Sequence, residues 1–102
     1  MRVISRKILQ DFTHRRPDAR EPLDAWYRAA RRARWQNIRD VRRLYPHADA
    51  VAVESGNTVT VFNIGGNKFR LVAAIHYNRQ LLFVLRIMTH KEYDADRWKE
   101  TL

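Results

Sequence analysis

Apolar residues recur at helical spacing in the first half of the chain and at strand spacing in the second, with the change falling at Pro46. Met1 to Ile4 has the composition of a short strand. Ser5 is a suitable N-cap, and Ile8, Leu9 and Phe12 form an apolar stripe on a helix that Pro17 stops. Glu21 and Pro22 suit the first turn of a second helix, where an acid and a proline are both favoured. Along it Leu23, Trp26, Tyr27 and Ala30 follow the i, i+3, i+4, i+7 pattern of a buried face, with Arg28, Arg31 and Arg32 on the other side. Asn37 caps a third short helix carrying Ile38, Val41, Leu44 and Tyr45, which Pro46 closes.

Beyond Pro46 the predicted strands are Ala50 to Glu54, Thr58 to Ile64, Lys68 to Tyr77 and Leu81 to Met88, all rich in Val, Ile, Leu and Phe. Ser55-Gly56-Asn57, Gly65-Gly66-Asn67 and Tyr77-Asn78-Arg79-Gln80 supply the turns. The continuous apolar runs Leu71 to Ile75 and Leu81 to Leu85 predict central strands covered on at least one face. One strand, then helices, then a meander gives an α+β fold: an antiparallel sheet of four to five strands with the N-terminal helices packed on one face. The opening strand must pair at the sheet edge or centre beside the meander. Residues 1–102 make one domain, with no repeat, linker or low-complexity tract.

Charge narrows the function classes. Twenty Lys and Arg against eleven Asp and Glu give a formal charge of +9, a surface that favours polyanions such as nucleic acid or ribosomal RNA. Seven arginines (28, 31, 32, 34, 39, 42 and 43) cluster with Asp40 as the one acid between them. That run is a solvated helix face on the plain reading and an electrostatic footprint for RNA on the functional one, with Arg31, Arg32, Arg42 and Arg43 as candidate contacts. No stretch approaches the roughly 18 apolar residues that span a bilayer, and no signal-peptide core is present, so a cytoplasmic protein without membrane contact is expected. There is no cysteine, hence no disulfide framework and no thiolate metal site. His14, His47, His76 and His90 show no ligand spacing, so neither a metal nor another cofactor is expected.

Two clusters carry the candidate chemistry. Gly65-Gly66-Asn67 is a hairpin turn in the first instance, and its bare N–H groups also suit an anion. Lys68 and Arg70 follow on one face of the next strand. Arg86, inside the apolar run of the neighbouring strand, is expected either to pair with a carboxylate or to face a bound anion. His90, Lys91 and Tyr93 come directly after the last strand. Cleaving RNA without a metal requires a proton acceptor for the 2′-hydroxyl, charge to stabilise the phosphorane, and a proton donor for the leaving 5′-oxygen. Histidine titrates nearest neutrality, Arg and Lys supply charge, and tyrosine either stacks on a base or exchanges a proton if neighbouring cations lower its pKa. Glu92, Asp94 and Asp96 are expected to act as caps and salt-bridge partners.

Asn63-x-Gly65-Gly66-Asn67-x-x-Arg70 and Thr89-His90-Lys91-Glu92-Tyr93-Asp94 resemble the signatures of the HigB family of bacterial toxins, within the RelE/ParE superfamily. The resemblance runs from the opening strand to about Asp94. It implies a RelE/ParE-like fold and the toxin of a type II toxin–antitoxin system, a metal-independent mRNA endoribonuclease acting on translated messenger at the ribosome. It also implies a cognate helix-turn-helix antitoxin of the HigA type, with operator DNA contacted only through the toxin–antitoxin complex. On this basis Arg70 would stabilise the scissile phosphate, and His90 and Tyr93 would transfer protons or position a base. Lys68 and Lys91 would add charge, with Asn67 and Arg86 also on the RNA. The division of general acid from general base is not fixed by the resemblance. Two rivals are a toxin of the same fold that binds a protein target such as gyrase, and a basic ribosome-associated RNA-binding protein without enzymatic activity.

Overall fold

The computed structural model describes residues 1–4 and 6–102; the expected cap at Ser5 lies outside the described residues. The chain runs β1 (Arg2–Ile4), α1 (Arg6–Arg15), α2 (Arg20–Arg32), α3 (Ile38–Leu44), β2 (Asp49–Ala52), β3 (Thr58–Ile64), β4 (Phe69–His76), β5 (Leu81–Thr89) and α4 (His90–Asp94), then a 3-10 turn over Arg97–Thr101. The sheet order is β1-β5-β4-β3-β2. Strands β2 to β5 form the antiparallel meander, and β1 pairs parallel to β5 at the edge through Arg2↔Leu81, Val3↔Leu82 and Ile4↔Phe83. The two longest apolar runs therefore occupy the interior of the sheet, as their composition requires. No helix among the described residues is long and apolar enough to cross a membrane.

Helices α1 to α3 bury their apolar stripes on one sheet face. Leu9, Phe12, Leu23, Trp26, Ala30 and Val41 meet Phe62, Ile64, Phe69, Leu71, Leu82 and Val84 there. Phe62 is the hub: Trp26 and Tyr45 approach it edge-on at 5.4 Å, and Trp35 stacks on it at 5.9 Å. Asn37 caps α3 by accepting from the Asp40 amide at 3.1 Å. Leu44 departs from the expected stripe. It stands 54% exposed, because α3 lasts seven residues and only Val41 on it is fully buried.

The opposite face is also covered. Val53, Val59, Val61, Val72 and Met88 form a second apolar cluster closed by Trp98 from the C-terminal turn, with Tyr93 and Leu102 packed against it. Hydrogen bonds from the Glu54 amide to the Lys99 carbonyl (3.1 Å) and from Trp98 Nε1 to the Tyr93 carbonyl (3.1 Å) hold this segment down. Burying one aromatic side chain of this size is worth roughly 3–5 kcal/mol by the cost of truncating it. The lid thus makes α4 part of a packed layer instead of a loose tail.

Candidate functional site

The site is built at the end of the β4–β5 pair. Asn63↔Arg70 and Arg70↔Met88 are register partners, so all three side chains lie on the face that carries the second cluster. Between β3 and β4 the chain turns through Gly65 (φ +64°) and Gly66 (φ +71°), left-handed values that cost residues with a Cβ about 1–2 kcal/mol each. Asn67 and Lys68 belong to this turn and are exposed; Lys68 therefore does not start the strand, which begins at Phe69. Phe69 is fully buried against Phe12 at 5.4 Å and fixes the strand start on which Arg70 sits.

On the other side, α4 begins where β5 ends because Thr89 is a complete capping box. Its hydroxyl accepts from the Glu92 amide at 3.2 Å, and the Glu92 carboxylate accepts from the Thr89 amide at 3.0 Å. The His90 amide donates to the Lys68 carbonyl at 3.0 Å, tying this cap to the glycine turn. Two motifs twenty residues apart in sequence thereby meet.

Arg70 lies at the floor, 7% exposed. Its Nη1 donates to the carbonyls of Phe69 (3.1 Å) and Asn67 (3.4 Å), and its Nη2 to Asn67 Oδ1 (2.6 Å). Nη2 also lies 2.9 Å from His90 Nδ1. A guanidinium has no acceptor, so Nδ1 must be the accepting nitrogen and the neutral ring carries its proton on Nε2. That Nε2 is 3.1 Å from the Asp94 carboxylate, one helical turn along α4. The result is a chain of polar contacts, Asn67–Arg70–His90–Asp94, that passes from a buried cation to the surface. The side chains of His90 and Asp94 are 45% and 60% exposed.

Tyr93 sits beside this chain. The Arg70 guanidinium lies over its ring at 5.6 Å, and Trp98 stacks on the ring at 5.3 Å and 21°. Burial, followed by the nearby Asp49 carboxylate, pushes the phenol pKa up, outweighing the opposing Lys99 and Arg70 charges. The expected lowering by neighbouring cations is therefore not what this environment produces, because desolvation dominates. The phenol stays protonated through the neutral range and can act as an O–H donor or a platform, not as a base.

The remaining candidates spread out. Lys91 is exposed on α4. Arg86 shares the sheet face of Arg70, diagonally across the β4–β5 pair, since it faces Val72. A bulge between Val72 and Ala73 leaves Leu85 without a register partner and sets that alignment. Arg86 is exposed and donates to the Thr101 hydroxyl at 2.9 Å, so among the described residues it pairs with no carboxylate, and it is not enclosed in its apolar run. Arg42 donates to the Ala48 carbonyl at 2.9 Å and approaches Asp49 at 3.6 Å; Arg43 approaches Asp40 at 3.7 Å. Arg31 packs over Tyr27 at 5.6 Å, and Arg32 is exposed at the end of α2. These four belong to the helical side and the β2 edge, away from the His90 cluster. Asp94 is the functional candidate that the sequence argument set aside as a salt-bridge partner. Its i, i+4 spacing from His90 was the available signal.

A family model described as HigB toxin, the RelE-like toxic component of a toxin–antitoxin system, matches residues 19–96. The chain is similar to the mRNA interferase toxin HigB of Escherichia coli strain K12, with 29% identity over 94 residues covering 92% of this chain and 88% of that protein. The same figures hold for the mRNA interferase HigB of Shigella flexneri. The corresponding protein of Escherichia coli O6:H1 is 27% identical, over 92% of this chain and 89% of its own length.

Proposed function

The chain belongs to the HigB toxin family, and from that premise we propose that it is the mRNA-cleaving toxin of a toxin–antitoxin pair with its active site at the Arg70–His90–Asp94 cluster. The observation that carries the site assignment is the 2.9 Å contact between Arg70 Nη2 and His90 Nδ1, which joins the two motifs in one cluster.

Each group has a role suited to its surroundings. A phosphodiester approaching the cluster meets the exposed side chains of Lys68 and Lys91 first. Arg70 lies beneath with its fork engaged, so its charge acts from the floor on the negative charge that builds on the phosphorane. It also fixes the tautomer of His90. The His90–Asp94 pair handles protons at the exposed Nε2 and carboxylate, where the 2′-hydroxyl and the 5′-oxygen would lie. Tyr93 supports Arg70 and offers its phenol as a donor. No metal is used in this scheme. The basic helical face, including Arg31, Arg32, Arg42 and Arg43, holds RNA phosphates. The messenger is cut during translation on the ribosome, in the cytoplasm. A helix-turn-helix antitoxin neutralises the toxin and carries it to operator DNA.

Inducing the chain alone should halt growth and translation. His90→Ala with Tyr93→Ala should relieve the arrest while the protein remains folded by circular dichroism. A folded double variant as toxic as the parent removes the cleavage-site assignment. The rival in which the fold poisons a protein target requires arrest without any loss of intact messenger.

A further inference from the structure

A cationic concavity lies at the far end of the sheet from the His90 cluster. It opens where β1 meets the end of α2, has a volume of about 970 Å³, and presents Arg2, Arg31, Arg32 and Arg34; Gln80 braces its wall by donating from Nε2 to the carbonyls of Trp35 (2.7 Å) and Tyr77 (2.9 Å). No carboxylate lines it. Four other surface concavities each carry one: Asp40, Asp24, Glu92 and Asp11. None of the four arginines is paired with an acid among the described residues, and the Arg31 guanidinium lies over the Tyr27 ring at 5.6 Å. The field is felt locally: after burial, Arg34 and Arg31 are what push the Met1 amine below its ordinary pKa.

Its position separates it from the His90 cluster. Arg2 pairs with Leu81, at the start of β5, whereas His90 follows the end of the same nine-residue strand. At about 3.3 Å per residue the two sites are roughly 30 Å apart. Its apolar lining is Met1, Val3, Tyr27 and Ala33, all half-buried and packed against the core, whereas the exposed Leu44 that could anchor a protein partner lines a different recess. Guanidinium forks with neither an acid nor an exposed large apolar side chain beside them suit phosphate oxygens best.

On the premise that the chain acts on RNA, we propose that this concavity is a separate phosphodiester-binding site that grips an RNA backbone about 30 Å from the cleavage site. A strand occupying both would need about nine stacked nucleotides at ~3.4 Å each. The RNA is either the substrate strand beyond the cut or ribosomal RNA, and two arms distinguish them.

The test compares the parent with the combined Arg2→Gln, Arg31→Gln, Arg34→Gln variant across a salt series. One arm measures anisotropy of a labelled 16-nucleotide RNA made uncleavable by 2′-O-methyl groups; the other measures co-sedimentation with purified ribosomes. A Lys7→Gln, Arg20→Gln, Arg79→Gln variant removes equal charge outside the concavity and outside the arginine run of α2 and α3. Losing three phosphate contacts should flatten the slope of log K against log salt by about 2 in one arm or both. A change in the oligonucleotide arm assigns the substrate strand, and a change confined to ribosomes assigns ribosomal RNA. Unchanged slopes in both arms, or an equal loss in the charge-matched variant, overturn the proposal. Because binding is read on uncleavable RNA, a failure of the His90 assignment would leave this result standing, and the reverse also holds.

Discussion

Replacing Arg70 with lysine keeps the positive charge and removes the planar fork. In the parent, two Nη atoms serve four acceptors: the Phe69 carbonyl at 3.1 Å, the Asn67 carbonyl at 3.4 Å, Asn67 Oδ1 at 2.6 Å and His90 Nδ1 at 2.9 Å. An ammonium on a flexible stem is a point donor and cannot span the turn and the imidazole at once. Two charge-assisted bonds are then lost, each worth about 1.5 kcal/mol at the low end, and the exposed Asn67 recovers part of this from water. The expected cost is ~2 kcal/mol, which for a domain near 100 residues lowers Tm by about 8–16 °C. The second consequence is chemical. Without the guanidinium at Nδ1, the imidazole should exchange between tautomers. Thermal melting and nitrogen-15 NMR of the His90 ring read the two effects separately. An Arg70→Lys protein that melts within about 2 °C of the parent and keeps its proton on Nε2 refutes the organising role given to this side chain.

Thr89→Ala removes the capping box at the start of α4 and should cost about 1 kcal/mol, a Tm loss of about 4–8 °C, with RNA cleavage falling further than stability because His90 is the next residue. Alkaline pH should destabilise the fold. Burial raises the phenol pKa of Tyr45, Tyr77 and Tyr93 above 10.0, so the folded state holds these protons more tightly than the unfolded chain. Their contribution is complete below about pH 10 and is lost as pH rises through the folded values. Chemical denaturation between pH 8 and 11 should show this decline, and Tyr93→Phe with Tyr45→Phe should reduce it; an identical decline in the double variant contradicts the assignment.

The strands, the turns and the Asn37 cap were legible because each depends on neighbours in sequence. Alternation marked β3 to within its observed ends, and Asn37 was recognisable as a cap from the helix that follows it. What escaped depends on distant packing. Leu44 fits a helical stripe, but α3 is too short to press it into the core. The bulge beside Val72 sets the register that places Arg86, and no local residue type announces it. Trp98 was not assigned to any layer, although it closes the second face and supports Tyr93. The direction of the Tyr93 shift followed from that same burial, which outweighs charges that the sequence did reveal. In the site, residue types and separation pointed to Arg70 and His90. Their joining through Nδ1, and the role of Asp94 at Nε2, required the three-dimensional register.

The most direct measurement is the rate at which purified His90→Ala protein cuts a defined messenger in a translating extract, against the parent at equal concentration with folding verified. Removing a proton-transfer group should slow cleavage by about 10²–10⁴-fold while the cut positions stay the same. Cleavage by the folded variant at the parental rate would contradict the assignment of the site.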